Sequence, residues 1–168
     1  MKQAYILVED LYEEMEFWYP YFRLKEAAFK VVVVAPEKGK TYVSKHGYPV
    51  VSEAAASEVD ANAAAVLVVP GGYAPDKLRR YPDVLKLVKE AHGNGAVCAT
   101  ICHGAWVFIS AGIIKGKRAT CVPAIRDDLK NAGGIYVDEA AVVDGTMVTS
   151  RTPADLPEFM RTVINLAG

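Results

Sequence analysis

Residues 99–106 read ATICHGAW, placing a thiol, Cys102, directly before an imidazole, His103, where an apolar run stops. A thiol beside an imidazole has the composition of a nucleophile and its base. Two other stretches carry reactive or polar groups. EDLYEEMEF at 9–17 supplies the carboxylates Glu13, Glu14 and Glu16, and VPGGYAPDKLR at 69–79 supplies Gly71 and Gly72 in a turn. Glycines let a backbone amide approach a reacting oxygen closely, and the amide after an elbow nucleophile, here that of His103, is the usual second donor. Taken singly, each feature has an ordinary structural explanation: a small core cysteine, a solvated acidic helix face, a turn. Their placement relative to one another decides between the two.

The elements that position them follow from hydrophobic patterning. AYILV at 4–8, VVVVA at 31–35, AAAVLVV at 63–69 and AVCATI at 96–101 are apolar on consecutive residues, the pattern of strands covered on both faces. Between them, 13–28 and 83–93 show helical spacing, with Pro20 predicting a kink in the first and Gly93 a stop for the second. A buried helix is expected after Cys102 up to Gly112, a short one over 125–134, a hairpin at the Asp144-Gly145 pair, and a closing helix begun by Pro153 and Asp155. Strands alternating with helices predict an α/β fold with a mostly parallel sheet and helices on both faces. Sites in such sheets form at the carboxyl ends of strands. The three stretches above all lie at predicted strand ends. Cys102 then sits at a sharp strand-to-helix turn, a nucleophile elbow, where the helix dipole is expected to favour thiolate.

Composition narrows the class. With 168 residues, 52% hydrophobic and 23% charged, and a net charge of −1, the chain is expected to form one domain over 1–168, with no nucleic acid or membrane partner. The amino terminus has neither the long apolar region nor the cleavage site of a signal peptide, so the expected location is cytoplasmic. Three cysteines at irregular spacing suggest free thiols, with Cys98 and Cys121 structural. No metal or other cofactor is expected, because His46, His92, His103 and the cysteines lack ligand spacing. His92, near a helix end, suits a cation there. No histidine follows His103. A triad whose histidine lies far downstream of the nucleophile, as in glutamine amidotransferases, is therefore excluded. Any assisting imidazole is His103 or His46, and a ring adjacent in sequence is expected to be poorly aimed at the sulfur without an outside acid.

The elbow, the PGGYAPDKLR turn, KHGYPV at 45–50, IRDDLKNAG at 125–133 and VVDGTMVTSRTPADL at 142–156 together resemble the ThiJ/PfpI superfamily, and within it the PfpI branch of intracellular cysteine proteases. The resemblance runs through nearly the whole chain in order. It implies a flavodoxin-like three-layer sandwich, assembled as a homodimer or a hexamer of dimers. By position it implies Cys102 as nucleophile with His103 beside it, Glu16 as the acid bonded to the sulfur, Glu13 at a second acidic position, and Gly72 with the His103 amide as oxyanion donors. Asp76 matches the acid that reaches the histidine from a neighbouring subunit, although the protease pattern has the longer glutamate. Val122 stands where close protease relatives have tyrosine, and Ala28 replaces a helix-ending glycine. Members of this family are described as peptidases, deglycases and glyoxalases, so the expected substrates are small reactive carbonyls, glycated protein side chains or peptides, in a stress-protection role. A redox-sensing or holdase protein using the same cysteine is the non-enzymatic alternative. A carboxyl group buried against a thiolate would itself be protonated and would donate to the sulfur.

Overall fold

The computed structural model describes residues 1–168. In chain order the elements are β1 (Gln3–Leu7), α1 (Glu14–Glu26), β2 (Lys30–Ala35), β3 (Thr41–Val43), β4 (Pro49–Val51), β5 (Ala54–Ala55), β6 (Ala64–Val69), α2 (Ala74–Leu78), α3 (Pro82–Gly93), β7 (Val97–Ile101), α4 (Ala105–Ser110), β8 (Arg118–Ala119), α5 (Arg126–Asn131), β9 (Ile135–Tyr136), β10 (Ala141–Asp144), β11 (Met147–Ser150) and α6 (Leu156–Ala167). Seven strands form one sheet in the order β10-β11-β7-β6-β1-β2-β5. Every pairing is parallel except the β10–β11 hairpin. The four apolar runs supply its centre, and β1, β6 and β7 are almost entirely buried, as burial on both faces requires.

Helices α1 and α6 cover one face, and α3 packs with α4 on the other, which completes three layers. Chain order reverses across β1: β2 lies on one side of it and β6, then β7, on the other. A crevice opens at such a reversal, beyond the carboxyl ends of the strands. The ends of β1, β6 and β7 lead into the three stretches singled out above.

Several local expectations change. Helix α1 runs through the buried Pro20 without interruption. It ends in a Schellman closure, with the Phe29 amide donating to Leu24 C=O and the Ala28 amide to Lys25 C=O, each at 3.0 Å. That closure requires a left-handed residue, and Ala28 occupies it at φ 63°. For α3 the left-handed residue is Gly95 at φ 87°, not Gly93, which is still helical. His92 is half-buried, and burial pushes its imidazole below the ordinary range, so it is not the cap cation its position suggested. The hairpin turn consists of Gly145 and Thr146, because Asp144 still pairs with Met147. Pro153 and Asp155 form a separate 3₁₀ turn ahead of α6. The short hairpin β3–β4 and the two-residue strands β5, β8 and β9 lie outside the expected elements.

Candidate active site

Strand β7 ends at Ile101, and the chain turns at once into a 3₁₀ turn, Cys102–Gly104, followed by α4. Cys102 takes φ 62°, a left-handed conformation that costs a residue with a Cβ about 1–2 kcal/mol. The elbow is held by what surrounds it. A Cβ on Gly104 would stand 2.6 Å from the carbonyl oxygen of Val69, so only glycine lets the turn settle onto the end of β6. The buried Thr100 hydroxyl donates to that same carbonyl at 3.0 Å.

The turn after β6 closes over the sulfur. Gly72 has φ 78° and forms a bridge with Tyr12. A Cβ there would lie 2.6 Å from the Glu13 amide nitrogen and from Leu11 C=O, which explains the second glycine of the pair. The first, Gly71, would place a Cβ 2.7 Å from Cys102 Cβ and against the Glu16 carboxyl. Its amide donates to Glu16 Oε2 at 2.8 Å.

The resulting cavity is lined by Glu13, Glu16, Lys45, Gly72, Tyr73, Cys102, His103 and Pro153. A larger groove on the outer face of α1, among Met15, Trp18, Phe22 and Tyr48, is aromatic and has no nucleophile. Cys102, Glu16 and His103 lie together in the smaller cavity. Glu16 is fully buried. Desolvation lifts its carboxyl to about 7 against the Gly71 hydrogen bond, which favours the anion. Its other oxygen, Oε1, has no hydrogen-bond partner. His103 Nδ1 lies 3.3 Å from Cys102 Sγ, so the ring is aimed at the sulfur without an outside acid, contrary to the sequence expectation. The tight 3₁₀ turn allows this between neighbours, and Trp106 backs the ring edge-on at 5.2 Å.

The expected low-pKa thiol is not what the geometry supports. Burial and then the Glu16 charge push the Cys102 thiol up to about 12, against the opposing pull of the His103 and Gly72 amides. The 3₁₀ turn and the six residues of α4 make too short a helix for its dipole to offset desolvation. Burial and Lys45 together lower the imidazole of His103. Both shifts favour the neutral thiol and the neutral imidazole.

The remaining candidates separate. Glu13 Oε2 is 2.8 Å from Lys45 Nζ at the cavity edge. Glu14 points away, accepting from the Ser44 hydroxyl at 2.7 Å and from the His46 ring and amide at 2.9 Å, which removes His46 as a base for Cys102. Asp76 stands in the first turn of α2, exposed and 3.6 Å from Arg80; within the chain it does not meet His103. Val122 donates its amide to Cys102 C=O at 3.4 Å, which brings its backbone against the elbow. Cys98 and Cys121 are free and buried, with thiols pushed to about 12 by desolvation. Lys45 was the residue sequence reasoning missed. It opens the KHGYPV stretch that carries family likeness, but nothing local places its ammonium beside an acid 32 residues away.

A parallel sheet with a strained elbow cysteine, two amides over its sulfur and a buried acid beside it defines a cysteine-centred α/β fold. The chain belongs to the DJ-1/PfpI family, whose model matches residues 2–166. It is 42% identical over 161 residues to a deglycase of Pyrococcus abyssi, covering 96% of each chain. It is 41% identical over 155 residues to the deglycase PfpI of Pyrococcus furiosus, covering 92% of this chain and 93% of that one. Among solved structures, a two-domain protein from Anabaena variabilis with DJ-1/ThiJ/PfpI-like and ferritin-like domains superposes with a TM-score of 0.96 at 40% identity. The match takes in 98% of this chain and 48% of that one.

Proposed function

We propose that this protein is a cysteine-dependent hydrolase or lyase of the PfpI type that acts through Cys102 on reactive carbonyls, glycated side chains or peptides. The observation that carries this is the elbow itself: Cys102 holds a left-handed φ of 62° inside a cavity shared with Glu16, Gly72 and His103. Strain of that kind persists where the surroundings enforce it, and it concentrates at reacting groups. In this reading Sγ adds to the carbonyl carbon and the π pair moves to oxygen, which the Gly72 and His103 amides receive. The thiol proton goes to Glu16 or to His103 Nδ1. With an aldehyde that proton returns to the new oxygen, and a neutral hemithioacetal stands on Sγ. A peptide loses its amine, which leaves with that proton, and water hydrolyses the thioester.

The same reading takes the chain as one domain working in the cytoplasm, as a homodimer or a hexamer of dimers, in which Asp76 reaches a neighbour's His103. Within its own chain the His103 ring meets Cys102 Sγ through Nδ1, so an acid from a neighbour would act on the other ring nitrogen. The redox-sensing alternative needs a standing thiolate, which burial and Glu16 oppose. Turnover of methylglyoxal, a glycated peptide and unfolded casein is compared between wild type and Cys102→Ala. At least one substrate is expected to be turned over by wild type alone; equal turnover by both would remove the catalytic role of Cys102.

A further inference from the structure

A conventional cysteine hydrolase pairs its thiolate with an imidazolium. The groups around Cys102 set up a different arrangement. Lys45 lies on the turn between β3 and β4, fixed by its amide, which donates to Tyr12 C=O at 3.0 Å. Its ammonium is held 2.8 Å from Glu13 Oε2, a carboxylate side chain only 11% exposed, and lies 6.0 Å from the centre of the Tyr73 ring. The ammonium, paired with Glu13, stands on the wall of the cavity that contains Cys102, Glu16 and His103, where its charge and that of Glu13 act on Glu16 in opposite directions. A fixed cation favours anions near it and opposes a second cation. Negative charge on Glu13, Glu16 and Cys102 in turn strengthens the hold of Lys45 on its proton.

A destination for the thiol proton is also present. Glu16 Oε2 is occupied by the Gly71 amide, whereas Oε1 is buried and unpartnered. Glu16, Glu13, Lys45, His103 and Tyr73 are the titratable groups that face the sulfur and the ammonium across this cavity. We propose that Lys45 is a positioning residue that selects the proton acceptor: its fixed charge holds one negative charge on the Cys102–Glu16 pair and keeps the imidazole of His103 neutral. The proton then passes from Sγ to the Glu16 carboxylate. The S–H bond breaks, an O–H bond forms, and the charge moves from oxygen to sulfur with no change in oxidation state. This rests on the reading of Cys102 as the nucleophile.

The test follows two signals against pH in wild type, Lys45→Met and Lys45→Arg: the rate of Cys102 alkylation by iodoacetamide, and the His103 ring resonances. Lys45→Met is expected to slow alkylation at neutral pH by about three- to tenfold, as loss of a nearby opposite charge does, and to move the His103 titration upward. Lys45→Arg, keeping the charge, is expected to restore both. Slower alkylation with an unmoved imidazole would mean that the Lys45 charge does not act on His103, and the selection of the proton acceptor fails. It fails equally if both signals in Lys45→Met match wild type, if a folded Lys45→Arg does not rescue, or if His103 in wild type gains its proton as the thiolate forms. A wild-type Cys102 alkylated no faster than Cys98 and Cys121 at any pH would overturn the nucleophile reading itself, and this inference with it.

Discussion

At Gly71, the Glu16 carboxyl and the Cys102 side chain meet in a space that admits no methyl group. A Cβ there would contact the Glu16 carboxyl and stand 2.7 Å from Cys102 Cβ. Gly71→Ala is therefore expected to displace either the acid or the sulfur, and to cost about 1–3 kcal/mol in stability by overpacking. Carbonyl turnover should fall by more than the unfolding midpoint in urea would suggest, because the disturbed atoms are those proposed to react. A variant with wild-type turnover would show that the Glu16–Cys102 contact is dispensable. At this scale the sequence was informative about identity and poor about charge state. Cys102 is legible because a strand end and a following Gly104 mark an elbow. Its protonation state is not, since it depends on how completely Glu16 and the sulfur are removed from water, which no local pattern encodes. Lys45 is illegible for the same reason: its meaning comes from Glu13, 32 residues away.

Among the elements, α1 ends on an avoidable strain. Ala28 holds φ 63° in the Schellman closure, where glycine has no Cβ penalty. Ala28→Gly is expected to raise stability by about 0.5–1 kcal/mol, the relief of αL strain less the added freedom of glycine in the unfolded chain. Thermal unfolding would read this as a higher midpoint with unchanged Cys102 alkylation. A lower midpoint would mean that unfolded-state entropy outweighs the strain. The long apolar strands and amphipathic helices were legible because their periods are unambiguous over five or more residues. The hairpin β3–β4 and strands β5, β8 and β9 are two or three residues each, too short to display a period. They form because the large sheet and its loops already hold their ends together. That hairpin matters, since its turn carries Lys45 and is tied to α1 through Glu14, Ser44 and His46.

The whole molecule carries two buried or bonded carboxylates of α1 with opposite effects on its response to pH. Glu14 loses solvation on folding, yet hydrogen bonds from the Ser44 hydroxyl, its own amide and His46 outweigh that and hold its carboxyl at about 2. Its contribution to stability is present above the unfolded value near 4.5 and is lost as pH falls toward 2. Glu16 runs the other way. Burial raises its folded pKa to about 7 from 4.5, so between those values the folded state binds more protons than the unfolded one. Stability therefore falls as pH rises through that window. Above it the buried carboxylate costs up to about 3 kcal/mol, an upper bound because neighbouring charges share the effect. Glu16→Gln keeps an acceptor for the Gly71 amide and cannot ionise. Relative to wild type it should gain stability from pH 5 to pH 8 in urea unfolding, while losing Cys102 activity across the same range. A parallel pH dependence in the two proteins would place the titration elsewhere and would mean that Glu16 keeps an ordinary carboxylate pKa. Separation of the two curves, with activity lost where stability is gained, is what a carboxyl buried for chemistry and not for folding requires.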